Sequence, residues 1–506
     1  MAAFAWALGA HLAWKPLLIF NAAFLLYVVI RARGGETVPA QRNAPGAVFA
    51  LAAFLLVGVL YAPSMGANFV HPDWTHRAYT QPVSSVAHLG YFFVVPRQDR
   101  FYRPFTFISL WLDHRVFGDR LWGYHLQNIG LHALNAVLAG FLAAGLGFTR
   151  WSSRFTALLF GLGAARFEAV VWPGARFDAL ATLFILVCLL LFLRYWRTKG
   201  AVVALGAAVV LAYVAAVLSK EIGYSLVLVL PLLAVTSRLW ALAPMERKRA
   251  VGLAIPLLAS TAVLIAIRFR MYGGIGGYPK QGGRSAQFAF DFRTVYMFLR
   301  NGLAAPIFGL NDIPHSPWPL AIAIAFVAVM VAVATLYRGA VRRRMLALMV
   351  LTLASAGPVV NLIGWLNVGL ENSRYMYWPS LWMCMMLALV FEATRWRMVL
   401  AGTFLAVQAA GVLWNEGVYR DMSVTAQMVA LEVRRDAGGL SDPLVQFRNV
   451  GVTEDGVFAF GTELIARTKA VIPGADVETC FSGCTAPTGT LIYRWDEGLR
   501  TMKREQ

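Results

Sequence analysis

The chain has 506 residues, 59% of them apolar and 14% charged, with a formal net charge of +19 and a mean hydropathy of +0.61. A water-soluble domain would carry nearer a quarter charged residues, so the composition excludes a soluble enzyme and points to a polytopic membrane protein. The positive charge does not signal nucleic acid, because eighteen of the 45 Lys and Arg residues sit in six short turns between long apolar runs, where membrane proteins carry them on the cytoplasmic side.

In chain order the apolar runs predict about twelve transmembrane helices, at 13–30, 45–62, 124–147, 153–172, 177–196, 201–219, 222–240, 250–268, 318–337, 345–363, 375–393 and 397–414. Runs of about 17–24 residues cross a hydrocarbon core of roughly 30 Å at 1.5 Å per residue. Lys15 and Pro16 interrupt the first run; Lys15 snorkels to the interface. That run lacks a basic region ahead of its apolar core and a cleavage site, so it reads as a retained helix and not a signal peptide. The basic turns are Arg31, Arg33 and Arg42; Arg150 and Arg154; Arg194, Arg197 and Lys199; Arg238, Arg247, Lys248 and Arg249; Arg338, Arg342, Arg343 and Arg344; and Arg395 and Arg397. Only Glu36, Glu246 and Glu392 are acidic among them. Placing these turns inside puts both termini outside.

The organisation expected is an extra N-terminal helix and basic turn at 1–44, a membrane domain at 45–414 and a small outward domain at 415–506. Two long outward loops interrupt the membrane domain, at 63–123 and 269–317. In the first, Pro104 suits the opening position of a helix, and Phe105, Ile108 and Leu112 fall on one face, which predicts an amphipathic helix lying in the interface. Tyr91–Val95 reads as a second interfacial piece. In the tail, Val418–Val433 reads as a helix leaving the membrane, and Leu444–Phe447, Val457–Phe460 and Gly489–Tyr493 as short strands of an α+β cap. Cys188 and Cys384 read as inert core residues. Cys480 and Cys484 are candidates for a bridge that would close only a small loop, or for two free thiols.

Charges near a bilayer cost about 2.5–3.5 kcal/mol at mid-span, so those on the outward face ask for a reason. The short outward turns hold only Arg176, Lys220 and Arg374 as cations, accompanied by Glu168, Asp178, Glu221 and Glu371. The first loop adds His71, Asp73, His76, Arg77 and Arg103. Asn128, His132 and Asn135 share one stripe of the third span by their i, i+4, i+7 spacing, with His125 nearby. Each has an ordinary reading: Glu168 with Arg176 as an interfacial ion pair, Lys220-Glu221 as a solvated turn, Arg374 as a headgroup anchor, the His132 stripe as interhelical hydrogen bonding. Trp365 and Trp378 read as interfacial belt residues. Taken together, three cations on one face can converge on a phosphate, with Asp73 beside it as a carboxylate able to take a proton from a hydroxyl.

The stretches Arg103-Pro104-Phe105, Trp122-Gly123-Tyr124-His125-Leu126-Gln127-Asn128 and Leu131-His132-Ala133-Leu134-Asn135-Ala136 resemble the GT-C superfamily of integral-membrane glycosyltransferases. They are most similar to the TPR-bearing protein O-mannosyltransferases and their bacterial relatives. Glu168-Ala169-Val170-Val171-Trp172 with Arg176 and Asp178, then Leu218-Ser219-Lys220-Glu221, then Ser373-Arg374-Tyr375-Met376-Tyr377-Trp378-Pro379-Ser380 continue the likeness in order over about residues 45–414. The resemblance departs in two places. Phe69-Val70-His71-Pro72-Asp73 has Pro72 where the family has the first of two acids, and Gly163-Ala164 stand where the branch has His-Pro.

What the resemblance implies is an all-α membrane enzyme that moves a sugar from a polyprenyl-phosphate donor to an extracytoplasmic glycan, lipid or protein. Its place would be the bacterial inner membrane, with inversion at the sugar if displacement is direct. Asp73 would be the catalytic base, with Asp113 or His71 behind it. Arg103, Arg176, Lys220 and Arg374 would bind the donor phosphate, and His71, His132, Glu168, Asp178, Glu221 and Tyr377 would support the site. A divalent metal is possible but not indicated, since one carboxylate makes a poor site for Mg²⁺ or Mn²⁺. The competing readings are a transporter or flippase of a lipid-linked saccharide and a catalytically silent binder of one.

Overall fold

The computed structural model describes residues 45–70, 73–97, 100–198, 200–240, 242–274, 339–359, 372–438, 440, 442–450, 462–472, 474–480, 485–496 and 501–505, with single positions between 296 and 335. Thirteen helices carry the argument: α1 (Ala47–Tyr61), α2 (Asp73–Thr80), α3 (Pro104–Phe117), α4 (Leu121–Gly145), α5 (Arg150–Leu162), α6 (Arg176–Arg197), α7 (Val202–Ser219), α8 (Leu226–Val235), α9 (Arg247–Tyr272), α10 (Gly339–Ala356), α11 (Ser380–Glu392), α12 (Arg397–Ala437) and α13 (Thr462–Val471). Among the described residues, six helices are long and apolar enough to cross a membrane: Ala47–Gly66, Leu121–Gly145, Pro173–Arg197, Val202–Ser219, Arg247–Tyr272 and Arg397–Ala437. The apolar window of the third is 72% buried and that of the fifth 17%, so α6 lies at the centre, against α4 and α7, while α9 leaves most of its apolar surface uncovered.

The predicted run 153–172 is not one helix. Thr149 caps α5, its side chain accepting the Ser152 N–H at 3.1 Å, but α5 ends at Leu162. Gly163 leaves the helical region, and the chain continues through Ala164–Arg166, Phe167–Val171 and Pro173–Ala175, three short turns that are buried throughout. The cause is Arg166. Its guanidinium folds back on the end of α5, donating Nε to the Phe160 carbonyl and Nη2 to that of Leu159, both at 2.7 Å, and Nη1 to Ser380 Oγ at 2.9 Å. It thereby satisfies the terminal carbonyls that a continuing helix would have paired. A side chain at Gly163 would collide with that guanidinium.

The run 397–414 errs the other way. α12 continues for 41 residues, absorbing the separately predicted Val418–Val433 helix, and stops where Gly438 turns left-handed at φ 56. At 1.5 Å per residue it is roughly 60 Å long, about twice a hydrocarbon core, so its C-terminal half extends beyond the apolar layer. α3 begins at Pro104 as expected. Phe107, Leu110 and Trp111 turn into a small cluster with Val83 and Phe92, against which Ile108 also packs; Phe105 packs on the main core, so of the predicted lipid face only Leu112 is exposed, at 47%. Trp378 is buried and donates to Ser225 Oγ at 3.1 Å, so it packs inside and is not a belt residue.

The tail forms a four-stranded sheet, β1 (Leu444–Arg448), β2 (Asp476–Cys480), β3 (Leu491–Asp496) and β4 (Thr501–Glu505), in the order β2-β1-β3-β4. β1 runs parallel to both neighbours, Val445 facing Val477 and Leu491, while β3 and β4 pair antiparallel. A parallel pair needs a crossover, and α13 supplies it between β1 and β2. The β2 and β4 strands were not among the predicted ones. Cys480 is disulfide-bonded; Cys188 and Cys384 are free and buried. Runs 13–30 and 345–363 beyond Val359, His71, Trp365, Glu371, Val457–Phe460 and Cys484 lie outside the described residues, as does nearly all of 318–337 and of the second loop past Gly274.

Between α7 and α8 the chain turns sharply. Lys220 is extended at φ −161, and Gly223 passes so close to α7 that a Cβ would lie 2.6 Å from the Val217 nitrogen and 2.7 Å from the Ala216 carbonyl carbon. Neither backbone atom can move aside cheaply. Gly223→Ala is expected to destabilise by about 1–3 kcal/mol and to lower the thermal unfolding midpoint in detergent. Gly252→Ala, where nothing lies within 4 Å, is expected to leave it unchanged.

Candidate active site

The polar stripe of α4 holds the broken segment in place. His125 Nδ1 lies 2.8 Å from the Val171 carbonyl, and the Asn128 amide donates to the Trp172 carbonyl at 2.9 Å and the Asn135 amide to that of Ala179 at 2.8 Å. His132 Nε2 lies 3.0 Å from the Gly161 carbonyl and Nδ1 2.8 Å from the Tyr377 hydroxyl. A carbonyl only accepts, so Nε2 carries the proton and Nδ1 accepts from Tyr377. Asn135 also donates to that hydroxyl, at 3.2 Å. These groups are fully buried. Their part is to fix residues 161–179 against the bundle, the ordinary reading of the stripe.

Residues fixed in this way frame Asp73. Asp73 opens α2 and is 4% exposed. Its Oδ2 accepts the Val70 N–H at 2.9 Å. Oδ1 faces the Gly174 N–H and the Trp172 indole N–H without a well-directed hydrogen bond to either. Glycine is required at 174, because a Cβ there would lie 2.7 Å from Asp73 Oδ1 and from Trp172 Nε1. Burial pushes the Asp73 carboxyl up to about 7, against the pull of these N–H groups and of Arg467. Beside it is a cavity of about 10 Å³, space for one water, lined by Asp73, His76, Arg77, Tyr124 and Pro173 among others.

Over the Trp172 ring begins a cluster of cations. Arg374 stands over the Trp172 ring at 4.7 Å and pairs with Glu168, which also accepts the Arg374 backbone N–H at 3.0 Å. Lys220 pairs with Asp178 and sits 4.8 Å from the Phe177 ring and 5.2 Å from that of Tyr375. Arg103 stands over the same Phe177 ring at 4.4 Å and donates to Glu221 Oε2 at 2.7 Å. Arg268 donates to Glu221 Oε1, also at 2.7 Å. Burial lowers the Lys220 ammonium to about 8, opposed by Asp178. Among the described residues, four cations thus meet three carboxylates.

Arg176, expected among the phosphate ligands, points away from this cluster. It is fully buried and pairs with Asp113 through Nη1, while Nε donates to Asn128 Oδ1 at 2.7 Å and Nη2 to the Tyr124 carbonyl at 2.8 Å. Its nitrogens meet protein acceptors away from the other three predicted cations. Asp113, behind Asp73 as a candidate base, is committed in the same pair; burial raises its carboxyl to about 6 against the pull of Arg176. The ion pair suggested for Glu168 with Arg176 is replaced by Glu168 with Arg374. Arg166 and Arg268 escaped the sequence reading, although each is a cation within or at the end of a predicted span, and that cost is itself the signal. Among the described residues, no three of His, Cys, Asp and Glu converge as metal ligands.

No family model matches the chain. The mouse and human proteins named Protein O-mannosyl-transferase TMTC2 are 29% and 28% identical to it over 158 residues, a match that takes in 28% of this chain and 18% of either relative. An oligosaccharyltransferase from Archaeoglobus fulgidus, solved with a tethered acceptor peptide, aligns at a TM-score of 0.41 and 11% identity, covering 85% of this chain and 64% of that one. ArnT from Cupriavidus metallidurans, solved bound to undecaprenyl phosphate, gives 0.36 at 16% identity, covering 85% of this chain and 89% of that one. TM-scores below 0.5 leave the local sequence match as the firmer link. The resemblance to the protein O-mannosyltransferases, carried first by the motifs, recurs in that match.

Removing one partner of a buried ion pair strands the other, at about 3–5 kcal/mol. Arg176→Met is expected to lower thermal stability by that order, and Arg176→Met with Asp113→Leu to recover most of it. Unfolding of the purified protein in detergent reads both.

Proposed function

We propose that the chain is a multi-pass membrane glycosyltransferase that moves a sugar from a polyprenyl-phosphate donor to an extracytoplasmic acceptor, with Asp73 as the base. The observation that carries the reading is a buried, elevated carboxyl, Asp73, near the indole N–H of Trp172, with a cation, Arg374, over the ring of the same residue. The basic turns place this face outside the cell, in the reading of a bacterial inner membrane with both termini extracytoplasmic.

The charge balance among the described residues fits the donor. A sugar joined to a polyprenyl phosphate is a phosphodiester with one negative charge, and among the described residues Arg103, Lys220, Arg268 and Arg374 against Asp178, Glu168 and Glu221 leave one positive charge to meet it. When the sugar leaves, its glycosidic oxygen stays on phosphorus and the second charge develops there. Donors already aimed at that oxygen stabilise the transition state more than the ground state. Arg374 and Lys220 are the residues proposed to do so, with Arg103 and Arg268 holding Glu221 and the turn beside it. On the other face of the sugar, Asp73 Oδ1 accepts the proton of the attacking acceptor hydroxyl. Direct displacement of this geometry inverts the anomeric centre. The aromatic faces of Trp172, Phe177 and Tyr375 exclude water around the ions and strengthen them.

Asp73→Asn keeps the shape and removes the base. It is expected to cut transfer from a labelled polyprenyl-phosphate hexose by about 10²–10⁴-fold while leaving binding of polyprenyl phosphate intact. Unchanged transfer would remove Asp73 from the mechanism, and binding without transfer in the wild type would favour a silent relative. A base must be ionised to act, so with the Asp73 carboxyl near 7 transfer is expected to rise as pH increases through about 7 and then level. A rate flat from pH 6 to 8 would contradict that assignment.

A further inference from the structure

At the face that the basic turns mark as cytoplasmic, several arginines are engaged by protein. Arg154 donates to the Pro45 carbonyl at 3.0 Å, and Arg344 Nε to that of Leu239 at 2.6 Å. Arg238, Arg342 and Arg343 differ: they are exposed and, among the described residues, make no hydrogen bond or ion pair. All three belong to one groove. It lies between α8 and α10, encloses about 280 Å³, and has Leu232 and Leu239 on one wall and Leu346, Val350 and Leu351 on the other. Arg343, the lining residue nearest the start of α10, stands at its cytoplasmic end. Arg342 precedes it, and Arg238 lies in the turn Ser237–Trp240 with Leu239. The Arg344 bond to Leu239 ties the two walls together. The one hydroxyl in the groove, that of Thr236, donates to the Leu232 carbonyl at 2.6 Å and accepts the Trp240 indole N–H at 2.8 Å, so beyond Arg343 the lining is apolar.

We propose that this groove binds an anionic phospholipid of the cytoplasmic leaflet, with an acyl chain along the apolar wall and the phosphate at Arg343, flanked by Arg238 and Arg342. The length fits one leaflet. Arg343, Leu346, Val350 and Leu353 are exposed and fall on one face of α10 by their i, i+3, i+7, i+10 spacing. Ten residues rise roughly 15 Å, half of a hydrocarbon core. The charge fits an anion. The described acids of the basic turns are engaged elsewhere, Glu392 by the Thr149 and Ser152 hydroxyls and Glu246 beside Arg249 at 3.5 Å. Basic residues at a membrane surface attract acidic lipid by about 1 kcal/mol each. A zwitterionic headgroup has no net charge to meet three cations, and a soluble anion would leave the apolar wall uncovered. The groove lies on the face of the membrane domain opposite Asp73, so it is separate from the proposed donor site and does not rest on the transferase reading.

The test is native mass spectrometry of the delipidated full-length protein, with dioleoyl-phosphatidylglycerol or dioleoyl-phosphatidylcholine added at equal concentration. Phosphatidylglycerol is expected to stay bound at collision energies that strip phosphatidylcholine, and to raise the thermal unfolding midpoint in detergent, as a ligand of the folded state does. Arg343→Gln combined with Arg238→Gln is expected to lower phosphatidylglycerol occupancy several-fold and to leave phosphatidylcholine unchanged. Val350→Trp fills the groove and keeps every cation; it is expected to lower phosphatidylglycerol occupancy as well. The substituted side chains are exposed, and should the arginine variant not survive purification, Val350→Trp and the comparison of the two lipids still decide. Equal retention of the two lipids overturns the proposal, as does occupancy unmoved by the arginine substitutions. A loss with the arginine variant but none with Val350→Trp would mean attraction to a charged surface without a groove, and also overturns it.

Discussion

A buried charge in an apolar protein must find its opposite, and this requirement organises the whole face around Trp172. Five cations, Arg103, Arg176, Lys220, Arg268 and Arg374, are each matched by a carboxylate, Glu221 serving two of them. Breaking such a pair costs more than forming it returns, because the partner is left alone in a poor solvent. The pairs therefore do not explain stability so much as specify one arrangement. α6 can begin only where Arg176 meets Asp113 and Asp178 meets Lys220, and that fixes Gly174, Trp172 and hence the wall of Asp73.

The same requirement explains why α5 ends early. A straight helix through 153–172 would carry Arg166 and Glu168 into the bundle without partners. Ending it at Leu162 lets Arg166 take the free carbonyls and brings Glu168 to Arg374. The polar stripe of α4 then pairs the exposed backbone of the broken segment. Irregular backbone at membrane depth is tolerated where protein covers it, and every residue from Ala164 to Ala181 is buried.

Much of this was legible in the sequence, and the boundary is physical. Spans follow from apolar run length, which needs no partner, so α1, α4, α6, α7 and α9 fall where the pattern places them. Pro104 marks the start of α3 through a local rule. The pairing of charges is different in kind: Glu168 and Arg374 are 206 residues apart, and nothing local chooses Arg374 over the nearer Arg176. Gly163 and Gly174 matter through what approaches them in space. Arg467 lies in a tail with no compositional link to the membrane domain, so its hydrogen bond to Gln427 of α12 shows only in three dimensions. The likeness to the O-mannosyltransferases named Arg176 among the phosphate ligands; its nitrogens instead meet Asp113, Asn128 and the Tyr124 carbonyl.

The central claim is that the cations around Trp172 face a lipid phosphate while Asp73 faces the sugar from the other side. A cryo-electron microscopy structure with polyprenyl phosphate bound tests it most directly. The account predicts phosphate density within hydrogen-bond reach of Arg374 and Lys220, with Glu168 or Asp178 displaced to admit it. Phosphate density elsewhere on the protein, with every pair in the cluster still closed, would contradict it.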